Sequence, residues 1–317
     1  MRLTNLTNHP AQDLVLMDRD GDEWLLIMAK ITVGLSASEA VEPAALELCD
    51  KHDARGALLV PSDPALERTG TSVLCSGRVM AESASLRVGT WSRRIRAFGE
   101  RRWERKATGW EAVPVTPFQP IQARFDHAYG GSCDGQSFQE NPLGRGFWRS
   151  TSSASPTELP LPLVEDESNL LSSPEAVATP LSLFPVPRSW TPRRERGGTY
   201  DEVWQVERAP LLPEDYDPRA QDVAQDEAVV RPFLRGGESF ELENLGSLGT
   251  VRGTLPRVLL RATYGEHRIH PVLDIVRFEP EERRVILTVR FVCGPLASAP
   301  GERAVLRELR MLARRQP

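Results

Sequence analysis

Lysine is almost absent from this 317-residue chain. Of its 39 basic side chains, only Lys30, Lys51 and Lys106 are lysines and the others are arginines. No glycine-rich run has the spacing of a phosphate-binding loop, and none carries the lysine that such a loop uses. With a net charge of −5 and an isoelectric point near 5.7, the chain also lacks the basic balance of a general nucleic-acid binder. We therefore expect no nucleotide cofactor and no nucleic-acid partner.

Long apolar runs and paired cysteines are also missing. No stretch approaches the roughly 20 apolar residues that span a bilayer, and residues 1–10 lack the basic start and apolar core of a secretory signal. The cysteines form no C-x-x-C pair, which predicts neither a zinc site nor a disulfide framework; they are Cys49, Cys75, Cys133 and Cys293. These absences predict a cytoplasmic protein without a cofactor, a metal or a membrane partner.

The apolar pattern is typical of a mostly β protein. Residues 14–17 and 24–33 predict a hairpin around the Asp20-Gly21 turn. Short runs with strand-like alternation follow over residues 72–98 and again over residues 238–292. Strands of this length and spacing predict antiparallel sheets that pack as a sandwich or close as a barrel.

The domain organisation predicted from composition has two β-rich lobes. They cover residues 1–148 and residues 192–317, and the Ser- and Pro-rich residues 149–191 between them are predicted as a linker or a long loop. Whether that segment separates two domains or lies within one stays open at this point. Two short helices are predicted, one near residues 44–48 and one over residues 302–314, where leucines and a valine share one helical face.

Residues 91–106 are the most basic window, with seven arginines or lysines against two glutamates. Arginines interleaved with aromatic residues suit contact with an acidic partner, or stacking on RNA. The acidic charge of the whole chain favours a hairpin that turns at Gly99-Glu100, with Ile95 and Ala97 facing a core. In this interpretation the solvated face carries Arg93, Arg94, Arg96 and Arg101. If the window binds a protein partner, the contacting residues are Arg93, Arg94, Arg96, Arg101, Arg102 and Trp103.

Residues 197–238 combine prolines and aromatic side chains. Pro210, Pro213 and Pro218 each fix φ and remove a backbone donor, so we expect no helix or central strand in this segment. Its aromatic residues need apolar neighbours, which predicts an ordered loop packed on a larger sheet. The aromatic candidates for partner binding in this loop are Tyr200, Trp204, Tyr216 and Phe233.

Catalytic constellations are weak. Cys133 stands in a Gly-Ser-Cys-Asp-Gly run with His127 upstream, but a nucleophile elbow needs a strand before it and a helix after it. The acids Glu214, Asp215 and Asp217 suit acid–base work, although turn-capping accounts for them as well. His267 and His270 lie three residues apart, which on a strand places them on opposite faces, so they predict no metal site. We expect no enzyme; the alternative is a β-scaffold hydrolase that uses Cys133 or the three acids.

Several motifs resemble a known family. The run W-T-P-R-x-x-x-x-G-T-Y-D-x-x-W covers residues 190–204, R-A-P-L-L-P-E-D-Y-D covers 208–217, L-R-G-G-E covers 234–238 and N-P-x-G-x-G-[FY] covers 141–147. Together they resemble a bacterial family long catalogued as a domain of unknown function, whose genes lie beside type VI secretion effectors and spike-tip proteins. The resemblance spans nearly the whole chain, from Asn5 to the terminal hairpin.

This resemblance implies a function that composition does not. Family members are taken to be non-enzymatic adaptors or chaperones that hold a protein effector and help to load it onto the type VI spike complex. Such a carrier needs broad shallow surfaces and edge strands that accept a partner strand, not a deep pocket. The sequence does not indicate which effector is carried, whether the protein is exported with it, or its oligomeric state.

Overall fold

A computed structural model describes residues 3–36, 39–296 and 304–308 of the chain, and the regular secondary structure of this part is mostly β-strand. The strands in chain order are β1 (Thr4–Asn5), β2 (Ala11–Met17), β3 (Glu23–Gly34), β4 (Lys51–His52), β5 (Leu58–Val60), β6 (Thr71–Cys75), β7 (Arg78–Val79), β8 (Ser83–Val88), β9 (Trp91–Ala97), β10 (Arg101–Lys106), β11 (Gly109–Pro114), β12 (Ile121–Gln122), β13 (Tyr129–Gly130), β14 (Ser132–Cys133), β15 (Gln136–Ser137), β16 (Arg145–Gly146), β17 (Val164–Asp166), β18 (Val229–Val230), β19 (Ser239–Glu243), β20 (Thr250–Thr254), β21 (Leu260–Tyr264), β22 (His267–Ile269), β23 (Val272–Glu279), β24 (Arg284–Cys293) and β25 (Ala304–Glu308).

Helices are short in the described residues. Two α-helices are present, α1 (Arg193–Arg196) and α2 (Glu202–Glu207), and single 3-10 turns cover Phe125–His127, Pro156–Glu158, Pro218–Gln221 and Asp226–Ala228. The expectation of no helix within residues 197–238 was wrong for α2, because Asp201 caps its first turn by accepting the Trp204 N–H at 2.9 Å and the first proline comes only at Pro210. The helix predicted near residues 44–48 is absent, and that segment is irregular.

A six-stranded sheet in the order β18-β6-β23-β24-β3-β2 organises the fold. Its long strand β3 is buried on both faces from Leu25 to Ile31, which explains its continuous apolar run. The predicted N-terminal hairpin is confirmed, with β2 antiparallel to β3. The turn between them is closed by Asp18, whose carboxylate accepts the backbone N–H groups of Asp20 and Asp22 at 2.9 and 3.0 Å.

A five-stranded sheet in the order β17-β9-β8-β19-β20 packs on the first. Ile27 and Leu287 of the first sheet belong to the same buried cluster as Leu86, Ile95 and Leu242 of the second. Alternate side chains of both sheets therefore fill one apolar core, as in a β-sandwich. The predicted mostly β, sandwich-like class is confirmed.

Strands from both predicted lobes pair within these sheets. Strand β3 pairs with β24, and β8 pairs with β19. Residues 149–191 between the lobes carry buried side chains, and β17 within them adds to the edge of β9. Residues 1–148 and 192–317 thus share both sheets, while the boundaries at 149 and 191 stay a prediction.

The predicted C-terminal helix is a strand over the part that the structure describes. Strand β25 pairs with β1 and β21 in a four-stranded sheet, order β1-β25-β21-β22. Ala304 and Leu306 alternate into the core, so burial against two neighbouring strands overrides the helical spacing of the leucines. Residues 302–303 and 309–314 of the predicted helix lie outside the described residues.

A smaller aromatic core lies beside the sandwich. It contains Trp103, Tyr129 and Phe147 together with Leu161. The hairpin predicted to turn at Gly99-Glu100 is absent, because β9 joins the five-stranded sheet whereas β10 pairs with β11. Trp103 of β10 is thereby carried into the aromatic core.

Candidate functional site

Strand β2 is an open edge of the six-stranded sheet within the described residues. Lys30 N donates to Pro10 O and Asp18 N donates to Asp22 O, both at 2.9 Å. Because backbone hydrogen bonding alternates along an antiparallel pair, the even-numbered residues of β2 face β3. The backbone N–H and C=O groups of the odd-numbered residues, Val15 and Met17 among them, therefore point away from the sheet.

An apolar cleft lies beside this edge; we call it the edge cleft. Its volume is about 460 Å³, and it is bounded by residues 16–19 of the β2–β3 hairpin, residues 62–67 and residues 210–221. Leu16, Met17 and Leu48 contribute apolar lining. Val15 and Met17 are 42% and 51% exposed, so the edge strand itself presents apolar surface to solvent.

Residues 197–238, which we call the aromatic loop, form one wall of the edge cleft. Trp204 donates its indole N–H to Leu211 O at 2.8 Å, which folds the loop back on α2. Arg208 donates to Arg19 O at 2.6 Å, and Arg19 donates to Glu214 O at 3.0 Å. These two arginine bonds tie the loop to the β2–β3 turn, so the wall and the edge strand form one structural unit.

A buried ion cluster holds the opposite wall on the central sheet. Lys30 of β3 lies 2.9 Å from the Asp63 carboxylate and donates to Ala45 O at 2.8 Å. Arg290 of β24 binds Asp274 at 2.7 Å and also donates to Leu66 O. Burial lowers the pKa of the Lys30 ammonium, and the Asp63 carboxylate opposes that shift. Lys30 and Arg290, on two strands of the six-stranded sheet, therefore hold residues 62–67 against that sheet.

The aromatic candidates of the sequence lie along this loop at different depths. Tyr216 lines the edge cleft, and its hydroxyl accepts a hydrogen bond from Gln221 Nε2 at 2.7 Å. Burial raises the pKa of Tyr216. Tyr200 is exposed and packs edge-on against Trp204 with ring centroids 4.7 Å apart. Phe233 is half-buried and does not line the cleft.

The helix within the loop exposes aliphatic side chains. Val203 and Val206 of α2 are 61% and 85% exposed. They add to the apolar surface that Tyr200 presents. Sequence reasoning singled out only the aromatic residues here, and the placement of two valines in a short polar helix is the signal that could have found them.

The arginine candidates are distributed over two sheets. Arg93 is buried on the same face of β9 as Ile95, contrary to the solvated face expected for it, because side chains two residues apart share a face. It lies 3.6 Å from Asp166. Arg94 is exposed and lies 3.7 Å from Glu167, and Arg96 is half-buried.

The remaining members of that window are also engaged. Arg101 binds Glu165 and stacks 3.4 Å from the Phe98 ring centroid, and Arg102 binds Glu104 at 2.9 Å. Trp103, only 2% exposed, is part of the aromatic core. Residues 91–106 therefore do not form one continuous arginine surface.

Cys133 does not lie in a nucleophile elbow. Strands β14 and β15 form a tight hairpin whose turn residues Asp134 and Gly135 have φ of 49° and 74°. Two consecutive positive φ values define a hairpin turn that Asp-Gly favours. Cys133 is buried in the aromatic core, and His127 Nδ1 lies 2.8 Å from Gln122 O.

The acidic candidates hold turns. Asp215 accepts the backbone N–H and the hydroxyl of Thr199 at 2.9 and 2.7 Å, and these bonds lower its pKa. Asp217 caps a 3-10 turn, and its bond from Arg219 lowers its pKa in the same way. Glu214 extends into solvent, 3.9 Å from Arg208. Both lowered pKa values indicate carboxylates held ionised by structural contacts.

Metal ligands do not converge in the described part of the chain. His267 lies at the start of β22 and His270 follows its end, both exposed. Residues 3–36, 39–296 and 304–308 contain no group of three or more His, Cys, Asp or Glu side chains arranged to hold a metal ion. Nor do these residues include a helix of sufficient length and hydropathy to span a bilayer.

The fold and the edge cleft define a β-sandwich-like scaffold with an open strand edge beside an apolar recess. A model of the family described as "Uncharacterized protein conserved in bacteria (DUF2169)" matches residues 20–290. The chain therefore belongs to this bacterial family. Searches of curated proteins and of solved structures found no match. The matched range includes β3, both walls of the edge cleft and the aromatic loop.

Proposed function

We propose that this protein is a non-enzymatic adaptor or chaperone of type VI secretion, which binds a protein effector in the bacterial cytoplasm and helps to load it onto the spike complex. The assignment to type VI secretion rests on the motif resemblance described under Sequence analysis. The observation that carries the proposal is the open edge of β2 beside the edge cleft. An exposed strand edge next to an apolar recess is a common way of gripping an extended segment of another protein.

Binding uses the backbone of β2 first. The outward N–H and C=O groups of Ala11, Asp13, Val15 and Met17 offer a ladder to an effector strand. Alternate side chains of that strand point to the face where Leu16 lines the edge cleft. The backbone ladder supplies affinity, and the apolar recess selects aliphatic or aromatic side chains.

The aromatic loop enlarges this contact. Val203 and Val206 on α2, with Tyr200, offer apolar surface on the loop that forms one cleft wall. Its attachment to Arg19 through Arg208 keeps that wall beside the edge strand, so little ordering entropy is lost on binding. A preformed shallow surface of this kind suits a carrier that must later release its cargo.

A non-catalytic role is supported by the groups that the hydrolase alternative requires. Cys133 is buried in the aromatic core, and Asp215 and Asp217 are engaged in turn capping. These three side chains are used by the fold, whereas Glu214 extends into solvent. The exposed features, which are the open edge of β2 and the valines of α2, suit recognition of another protein.

The first experiment is co-expression with a type VI effector, sought beside this gene because the family resemblance implies one there, and, separately, with a spike-tip protein. The proposal predicts a complex that survives size-exclusion chromatography. Failure to form a complex with either protein contradicts it.

Val15→Pro tests whether β2 is the binding edge. The outward N–H of Val15 makes no bond to β3, so proline removes a donor that only a partner strand uses, and the strand geometry tolerates it at an edge. We expect binding to the effector to fall roughly 10-fold or more, with little change in thermal stability. Val15→Thr keeps the N–H and serves as the matched control; equal binding by both variants would place the contact elsewhere.

A further inference from the structure

A second cleft, the aromatic groove, lies against the smaller core. Its volume is about 440 Å³, and Phe138, Phe147 and Trp148 belong to its lining. Phe138 and Phe147 pack with ring centroids 5.6 Å apart, and Trp148 donates its indole N–H to Ala154 O at 2.8 Å. These contacts fix the rings, so the groove is preformed. Val177, 69% exposed, adds apolar surface to it.

Three carboxylates line the same groove. Glu140, Glu175 and Glu195 form no ion pair within the described chain, and the Glu195 carboxylate accepts a 3.3 Å hydrogen bond from the Thr191 hydroxyl. Arg149 also lines the groove, and its guanidinium carbon lies 5.6 Å from the Phe147 ring centroid. Arg194 donates to the lining residues Gln139 and Thr191 at 3.2 and 3.5 Å. Three glutamates against these two arginines leave the groove with an excess of negative charge.

The field at Glu140 reflects this excess. Partial desolvation raises the pKa of its carboxyl group above 4.5, and the negative charges of Glu227 and Glu195 raise it further. Ionisation of Glu140 is therefore less favourable in the free protein than in an isolated glutamate side chain. A cation placed in the groove reverses that effect, because it stabilises the ionised form of every carboxylate near it.

We infer that the aromatic groove binds a basic segment of a partner protein, with an arginine or lysine side chain against the half-buried rings of Phe138 and Trp148 and its charge facing the glutamates. Aromatic faces attract cations, and carboxylates bind guanidinium groups through charge-assisted hydrogen bonds. The two kinds of group line one preformed groove, which suits a side chain with an apolar stem and a charged end.

Charge complementarity selects this occupant over others. An acidic segment or a phosphate backbone meets charge of its own sign in the groove. An uncharged apolar segment covers the rings but desolvates carboxylates that stay unpaired, which opposes binding. The inference does not rest on type VI secretion, since it concerns any partner protein that presents a basic segment.

The capped peptide acetyl-Leu-Arg-Leu-Arg-Leu-amide is a suitable probe for the full chain. Its citrulline analogue keeps the shape of the side chains and removes their charge. We expect the arginine peptide to bind about 10-fold more tightly by calorimetry and to shift the Trp148 indole N–H resonance, which Trp148→Phe identifies.

A double variant gives the second arm. Glu140→Gln with Glu175→Gln removes two groove charges and is expected to weaken binding about 3- to 20-fold. Glu266→Gln with Glu282→Gln makes the same change of net charge at exposed residues elsewhere and is expected to leave affinity unchanged. Equal binding of the citrulline peptide, equal loss in both double variants, or an unshifted Trp148 resonance would each overturn the inference.

Discussion

The edge cleft and the arginine-rich residues 91–106 present opposite kinds of surface. In the basic window, Arg93, Arg101 and Arg102 each have a carboxylate of this chain as neighbour. Beside the edge cleft, Val15 and Met17 are exposed without apolar cover. The lesson is that a dense run of charge can be used up by the fold, whereas a few apolar side chains on an open strand edge stay available to a partner.

The largest expected effect tests the ion cluster beneath the cleft wall. Asp274→Asn removes the buried ion-pair partner of the Arg290 and Arg68 guanidinium groups, which lie 2.7 and 3.5 Å from the Asp274 carboxylate. We expect the free energy of unfolding to fall by about 3–5 kcal/mol, measured by urea denaturation. Glu167→Gln, which removes the partner of exposed Arg94, is the control and should cost less than about 0.5 kcal/mol. Similar losses in both variants would erase the contrast between the two regions.

A smaller loss of stability distinguishes a core residue of the basic window from an exposed residue of the aromatic loop. Trp103→Leu leaves a void in the aromatic core and should cost about 1–3 kcal/mol in unfolding free energy. Tyr200→Leu, at an exposed ring of the aromatic loop, should cost less than about 1 kcal/mol. A stable Trp103→Leu protein with impaired effector binding would instead return Trp103 to the interface that the sequence suggested.

The smallest effect extends the comparison to the aromatic groove, where charge does stay unpaired. The folded state raises the pKa of Glu140, so protonation of this group stabilises the fold at low pH, and that stabilisation is lost as the pH rises through the raised pKa. Glu140→Gln removes the ionised form and should unfold at higher temperature than the wild type at pH 7. Below pH 4.5, the ordinary value for glutamate, the difference should disappear. A difference that persists at low pH contradicts this origin.

The part of the fold that the sequence predicts is the part set by local pattern. The β2–β3 hairpin follows from apolar runs on either side of Asp20-Gly21, and the alternation in β24 marks a buried strand. The pairing of β3 with β24, about 260 residues later in the chain, has no local signal. Local pattern therefore predicts the strands and the hairpin between consecutive strands, but not the pairing of strands that are distant in the chain.

The candidate site was predicted in part for the same reason. The aromatic loop was recognised from its prolines and rings, and it forms a wall of the edge cleft. The opposite wall, residues 62–67, was not, because it is fixed by Lys30 and Arg290 from distant strands. Arg93 was assigned to solvent because its neighbour Asp166 comes 73 positions later, in β17.

The scarcity of lysine turns the buried Lys30 into an experimental advantage. Since Lys30 is enclosed, the side-chain amines open to cross-linking reagents are those of Lys51 and Lys106, both exposed. Lys51 comes three positions after Leu48 of the edge cleft, and Lys106 ends the basic strand β10. Mass spectrometry of a cross-linked complex can therefore report, from which amine reacts, whether the cargo has docked near Lys51 or near Lys106.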